Sequence, residues 1–288
     1  MSDAPHTSQQ SQPELVTDAI RNAEVQPERT VSALQQAVAA LPSISLEEMD
    51  AVKLMNRVDT KYLTQEATLL QVLGDAHKAG YRALEVGGGK IAGYRTVYYD
   101  TPEQQMYLNH HNKRLVRQKV RTREYLDSGD AYLEIKRKNN HGRTKKKRIG
   151  IAATELNNFS GDAFATDYLA GHSAYTAEEI SPALTTNFSR ITLVNPAKTE
   201  RLTIDTAVRF ENFRTGHSND LQDAVIIELK QDGRAESTMK GILLDHRVKP
   251  LRISKYCIGT TLTDSDIKHN RFKEKVRAIE KIINKKLN

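Results

Sequence analysis

Hydrophobic positions along the chain change period several times. "VSALQQAVAALP" suggests a short helix in an otherwise Ser-, Gln-, Ala- and Pro-rich N-terminal segment. "SISLEEMDAVKLMNR" predicts a helix start, with Ser45 as N-cap, Glu48 three residues on, and Met49, Val52 and Met55 at helical spacing. "VDTKYLT" reads as a strand and "TQEATLLQVLGDAHKAGY" as an amphipathic helix closed by Gly80. The period then falls to two. "YRALEV-GGG-KIAGYRTVYYD" predicts a hairpin about Gly87–Gly89, and "TPEQQMYLNHH" a turn and short helix. "LVRQKVRTREYL", "AYLEIKRK", "KKKRIGIA", "NFSRITLV", "RLTIDTAVRFE", "AVIIELKQ" and "PLRISKYCIG" follow as strands, with a loop-and-helix insertion near 154–186. A basic amphipathic helix ends the chain, with Ile267, Phe272, Val276, Ile279 and Ile283 on one stripe.

The strands share one plan. Arg117, Lys119, Arg121 and Arg123 point one way, opposite Val116, Val120 and Thr122. Glu134 and Lys136 oppose Leu133 and Ile135; Arg201 and Asp205 oppose Leu202 and Ile204; Glu228 and Lys230 oppose Ile227 and Leu229; Asp59 and Lys61 oppose Val58. An antiparallel sheet with one wet side gives this routinely. The helices, however, need the apolar faces to pack on. A sheet that then closes would enclose its charged faces in a lumen. Neighbouring cations on one face lie roughly 7 Å apart and repel by about 2 kcal/mol at an effective dielectric near 20. Such a lumen calls for a polyanionic ligand.

Composition sharpens this expectation. The chain has 288 residues, 38% hydrophobic and 27% charged, with a net charge of +7. Residues 1–40 are net acidic; residues 113–148 hold fourteen Lys and Arg against four acids. The excess positive charge is therefore one local block, which points to an anionic partner. No apolar run approaches a membrane-spanning length, and the N-terminus does not read as a signal peptide. The lone Cys257 fits a reducing cytoplasm and a buried position. His110 and His111 read as surface or loop residues without metal spacing. With no Trp, 6% aromatic residues and no recognisable nucleic-acid motif, nucleic acid is not the expected partner.

"RVDTKY", "VYYDT", "RQKVRTREY", "YLEIKRK", "RITLV…RLTIDT", "VIIELK" and "ISKY" occur, in order, as in the VTC domain, which the chain resembles from about residue 45 to 262. That family is the polyphosphate polymerase domain of the vacuolar transporter chaperone complex, in the triphosphate tunnel superfamily. The resemblance implies an α+β fold with a closed antiparallel β-barrel, helices outside and a C-terminal helix. It implies a tail at 1–43, a tunnel domain at 44–262 and a packed helix at 263–288. Its implied catalytic cations are Lys61, Arg121, Arg123, Lys136, Arg190, Arg201 and Lys255, with Lys119, Lys146, Arg148 and Lys230 binding phosphate. Lys146 is chosen over Lys145 and Lys147 by alternation with Arg148. Glu228, with Glu134 second, would hold Mn2+ or Mg2+.

The implied substrates are ATP and inorganic polyphosphate or pyrophosphate, in the cytoplasm. The chain shows no counterpart of the eukaryotic complex's inositol-phosphate-sensing domain or membrane helices. Regulation and any membrane coupling would then come from a partner chain. One departure matters: where the wider superfamily has E-x-E-x-K, Tyr132 replaces the first Glu. This weakens the case for a water-activating pair of carboxylates, as in a triphosphatase. A triphosphatase and a non-catalytic polyphosphate- or nucleotide-binding subunit of a membrane assembly stay open as alternatives.

Overall fold

The computed structural model describes residues 31–50, 52, 57–233 and 236–287. The architecture described below is that of the unit Ala33–Asn288. Met55, and with it the end of the helix expected after Ser45, lies outside the described residues, as does most of the expected N-terminal tail.

In chain order the elements are α1 (Ala33–Ala39), β1 (Ser43–Ile44), α2 (Leu46–Asp50), β2 (Arg57–Gln65), α3 (Glu66–Lys78), β3 (Arg82–Leu84), β4 (Ala92–Asp100) and α4 (Gln105–His111). Then come β5 (Arg117–Tyr125), β6 (Ala131–Lys138), β7 (Thr144–Ile151), α5 (Ala163–His172), β8 (Ser181–Val194), β9 (Glu200–Asn212), β10 (Ser218–Asp220) and β11 (Ala224–Asp232). Helices α6 (Thr238–Asp245), α7 (Lys255–Thr263) and α8 (Lys273–Ile283) end the chain. Ser45 and Glu48 exchange both bonds of the expected capping box at 3.1 Å.

The main path of the sheet runs β2-β11-β9-β8-β4-β5-β6-β7, antiparallel throughout. Strands β7 and β2 are its edges and do not pair. The expected closed barrel is therefore corrected to an open, strongly curved sheet. Two features account for this. The free edge of β2 is partly taken, because Leu251 donates its N–H to the Lys61 carbonyl at 2.8 Å and Tyr62 bridges to Pro250. β7 also carries four consecutive cations, Lys145–Arg148, and unpaired charged edges resist strand addition.

Alternation sorts the side chains as expected. The convex face supplies Ile191, Leu193, Leu202, Ile204, Ile227 and Leu229 to a core under α1, α3 and α6. Farther along, Val97, Val120, Leu133 and Ile135 pack under α5. The concave face is divided. At one end Leu63, Leu184, Phe210 and Ile226 are covered by α7 and α8; the rest of the face carries the charged side chains, with the rings of Tyr94, Tyr98 and Phe188 among them.

Helix α7 corrects a second expectation, since "PLRISKYCIG" read as a strand. Ser254 caps the helix by accepting from Cys257 N–H, and all residues from Tyr256 to Thr263 are buried. A segment buried on every side shows no amphipathic period to separate helix from strand. The helix lies so close to the sheet that a Cβ on Gly259 would sit 2.5 Å from Phe210 Cδ1 and 2.7 Å from Leu184 Cδ2. Gly259→Ala should therefore cost about 1–3 kcal/mol, read as a lowered melting temperature. An unchanged melting curve would show that α7 can slide away.

Two smaller corrections follow. β3 and β4 form no hairpin ladder: β3 pairs with β1 and β8, and only the Val86–Gly89 bridge closes the turn, with Gly87 and Gly88 at positive φ. His111 is buried against Tyr107 and Phe272 rather than lying on the surface.

Candidate functional site

The open part of the concave face is a trough built by the alternation of eight strands. Its centre is a buried ion cluster. Arg190 on β8 grips Asp205 on β9 through two bonds, Nε–Oδ1 at 2.6 Å and Nη2–Oδ2 at 2.8 Å, and Lys255 at the start of α7 pairs with the same carboxylate. Arg190 lies over the Tyr94 and Phe188 rings, and Lys255 over Phe188 at 4.3 Å. The N-terminal turn of α7 is tied to the sheet by Lys119 Nζ, which donates to Ser254 Oγ at 2.7 Å.

On β5–β7 a second cluster surrounds Glu134, which is buried. Arg121 Nε donates to Glu134 Oε2 at 2.7 Å, and Lys146 pairs with the other oxygen. Arg123 has no such carboxylate bond. Its Nε donates to Thr96 Oγ1 at 3.1 Å, and its guanidinium lies over Tyr94 and Phe188. Arg148 stacks on Tyr132. At the other side, Lys61 faces Glu228 at 3.5 Å across the β2–β11 register, and Lys230 stands opposite both Arg201 and Asp59.

Curvature joins the sides. Lys136 on β6 lies within the electrostatic field of Glu228 and Lys61, although four strands separate β6 from β11. The cations predicted from the sequence thus share one trough, and Lys146 is the β7 lysine that faces it, opposite Lys136. Sequence reasoning did not single out Asp205, Tyr94, Tyr98 and Phe188 as site residues. Asp205 was visible on the charged face of β9; Tyr94, Tyr98 and Phe188 are rings on a face where only charge was sought.

Cations here outnumber carboxylates, and the titration behaviour reflects it. Burial, then Arg121, Arg123 and Lys146, act on Glu134; the cations win and hold its carboxyl well below the usual carboxylate range. Asp205 is held low in the same way, by Arg190 and Lys255 against burial. Burial opposes Lys61, Lys230 and Arg190 at Glu228, and the net is about 2. The Lys255 ammonium falls to about 8 through burial and the charges of Arg190 and Lys61, despite Asp205. Lys230 falls to about 8 through burial, Arg201 and Arg190, despite Glu228. Burial would raise the Tyr98 phenol, but Arg121, Lys119, Arg123 and Lys255 bring it to about 8.

All three groups change charge in the same direction. As pH rises through about 8, Lys230 and Lys255 lose positive charge and Tyr98 gains negative charge. Tripolyphosphate affinity should fall across that interval, with proton uptake on binding at pH 8. Calorimetry in two buffers of different ionisation enthalpy reads both effects; a pH-independent affinity would contradict them.

Among the described residues no cluster of three His, Cys, Asp or Glu side chains could hold a metal ion. Glu134 is held by two cations, Arg121 and Lys146, whereas among the described residues Glu228 meets only Lys61, at 3.5 Å, and is the less engaged of the two carboxylates. One carboxylate fits the mode in which the ion keeps waters and arrives on substrate phosphates. It does not fit a preformed protein cage.

The VTC domain matches residues 56–263, more than half of the chain and every strand of the trough. The chain belongs to the VTC domain family. A function on phosphate compounds follows from that membership. No curated protein matches this VTC chain.

Among solved structures, a Vibrio parahaemolyticus protein described as a candidate adenylate cyclase shares 12% identity at a TM-score of 0.42, covering 72% of this chain and 99% of its own. HpAC1 from Hippeastrum, described as having a dominant triphosphatase activity, shares 14% at 0.47, covering 71% and 95%. A Pyrococcus horikoshii protein shares 12% at 0.40, covering 71% and 97%. These likenesses are too distant for their activities to be read onto this VTC domain. No helix among the described residues is long and apolar enough to cross a membrane.

Proposed function

We propose that this VTC domain is a polyphosphate polymerase that transfers the γ-phosphoryl group of ATP to the terminal phosphate of a growing chain. One observation carries the reading. Each carboxylate of the central trough, Glu134, Asp205 and Glu228, is held ionised far below neutrality by neighbouring cations. Such groups are weak bases, so none of these carboxylates is suited to activating water or a hydroxyl. A terminal phosphate needs no such base, because it is already anionic at neutral pH. Tyr132 at the position of an expected acid favours the same acceptor.

The protein's contribution is to hold two polyanions together and spread the developing charge. Arg121, Arg123, Arg190 and Arg201 offer planar forks to phosphate oxygens, while Lys61, Lys136 and Lys255 act as point charges. Lys119, Lys146, Arg148 and Lys230 extend the cationic surface for the rest of the chain. Asp205 and Glu134 hold Arg190 and Arg121 in place before substrate arrives. Mn2+ or Mg2+ bound with the triphosphate would have Glu228 as its protein ligand and would neutralise phosphate charge.

The test incubates purified protein with ATP and Mn2+, resolves product on a polyphosphate-staining gel and assays free phosphate. A ladder with ADP release supports the polymerase. Free phosphate without a ladder replaces it with a triphosphatase. Neither product, with a melting temperature still raised by tripolyphosphate, leaves a binding subunit.

A further inference from the structure

We propose that two adjacent loops, Asn112–Val116 and the β6–β7 tip Asn139–Arg143, form a docking surface for an anionic lipid bilayer. The register sets them side by side, because Arg117, which begins β5, pairs with Lys138, which ends β6. Leu115 and Val116 are each 62% exposed, two consecutive aliphatic side chains at the tip of a loop. The backbone there is shaped by Lys113 at φ 58 and braced by Arg117, whose Nη1 donates to the Arg114 carbonyl at 2.7 Å. The two loops and the strand ends that adjoin them carry Lys113, Arg114, Arg117, Lys138, Arg143 and Lys145. Segments 112–119 and 135–149 contain no Asp or Glu.

The trough does not account for this surface. Lys145 lies on the convex side of β7, alternate to Lys146, and the two loops lie beyond the end of the trough that α7 and α8 close. Protection of the unpaired β7 edge would explain Lys145, but it gives no reason to expose Leu115 and Val116. Aliphatic residues flanked by cations match a bilayer interface, where the apolar pair enters the headgroup region and the cations meet anionic lipids. A nucleic-acid surface would instead be served by stacking aromatics, and neither loop holds Phe, Tyr or Trp. Docked this way, the protein leaves the Arg201 and Lys230 end of the trough toward solution.

Full-length protein is sedimented with phosphatidylcholine vesicles, with and without phosphatidylserine. Binding is expected only with phosphatidylserine, weakening as salt is raised. Arg143→Ala with Lys145→Ala should weaken it about twenty-five-fold, at about fivefold per cation. Leu115→Asp with Val116→Asp should weaken it about tenfold or more. Both double variants alter exposed residues and should melt as the parent does. Saturating tripolyphosphate should leave vesicle binding intact. Three results would overturn the proposal: undiminished binding by the aspartate variant, release by tripolyphosphate (which would mean that the trough grips the headgroups), or loop-dependent binding of duplex DNA with none to vesicles.

Discussion

Asp205→Asn is expected to destabilise the protein by about 3–5 kcal/mol, the usual cost of removing one partner from a buried ion pair. Asp205 is buried and serves two cations at once, Arg190 through both oxygens and Lys255 through one. The amide keeps the shape but leaves both cations uncompensated beside Arg123. Urea unfolding of parent and variant gives the difference. A loss under about 1 kcal/mol would mean that water already screens the cluster.

The same substitution carries a second, opposite expectation. A polyanion supplies the negative charge the variant lacks, so tripolyphosphate should raise the unfolding midpoint of Asp205→Asn by more than that of the parent. The parent's stability also has a defined acid limit. Because the folded carboxyl is held below its unfolded value, its contribution is complete above about pH 4 and disappears as pH falls through the lower folded value.

Arg123→Ala and Lys136→Ala should each lower ATP-dependent phosphoryl transfer by about 10²–10³ while leaving the fold intact. The two expectations belong together. Arg123 hydrogen-bonds Thr96 rather than a carboxylate; burial, Arg121 and Arg190 lower its guanidinium to about 10, against the pull of Glu134. Lys136 is likewise lowered by burial, opposed by Glu228, with Lys119 and Lys61 adding repulsion. Removing either relieves repulsion in the unliganded trough, so melting temperatures should hold or rise as rates fall. Glutamine in place of Arg123 would separate charge from bulk. A full rate in both alanine variants would remove these residues from the reaction.

How much of this could be read in the sequence depends on the range of the interaction. Alternation is local, so the inward faces of β5, β6, β9 and β11 were legible, and so was the selection of Lys146 over its neighbours. The capping box at Ser45 and Glu48 is local too. Helix α7 was misread because burial on every side erases the period that marks a helix. Whether the sheet closes depends on two edges far apart in the chain and on Pro250–Leu251 occupying part of one. No run of residues announces that. The aromatic rings under Arg190, Arg123 and Lys255 were missed because they sit on faces that charge seemed to explain.

The unpaired edges have a kinetic consequence. A polymer inside a sealed tube can leave only by its ends, whereas one lying in an open groove can peel off sideways along its length. For a polymerising enzyme of this shape, processivity is then set by the grip of the lysines and arginines rather than by enclosure. Product length should shorten as ionic strength rises, because screening loosens that grip before it halts the chemistry.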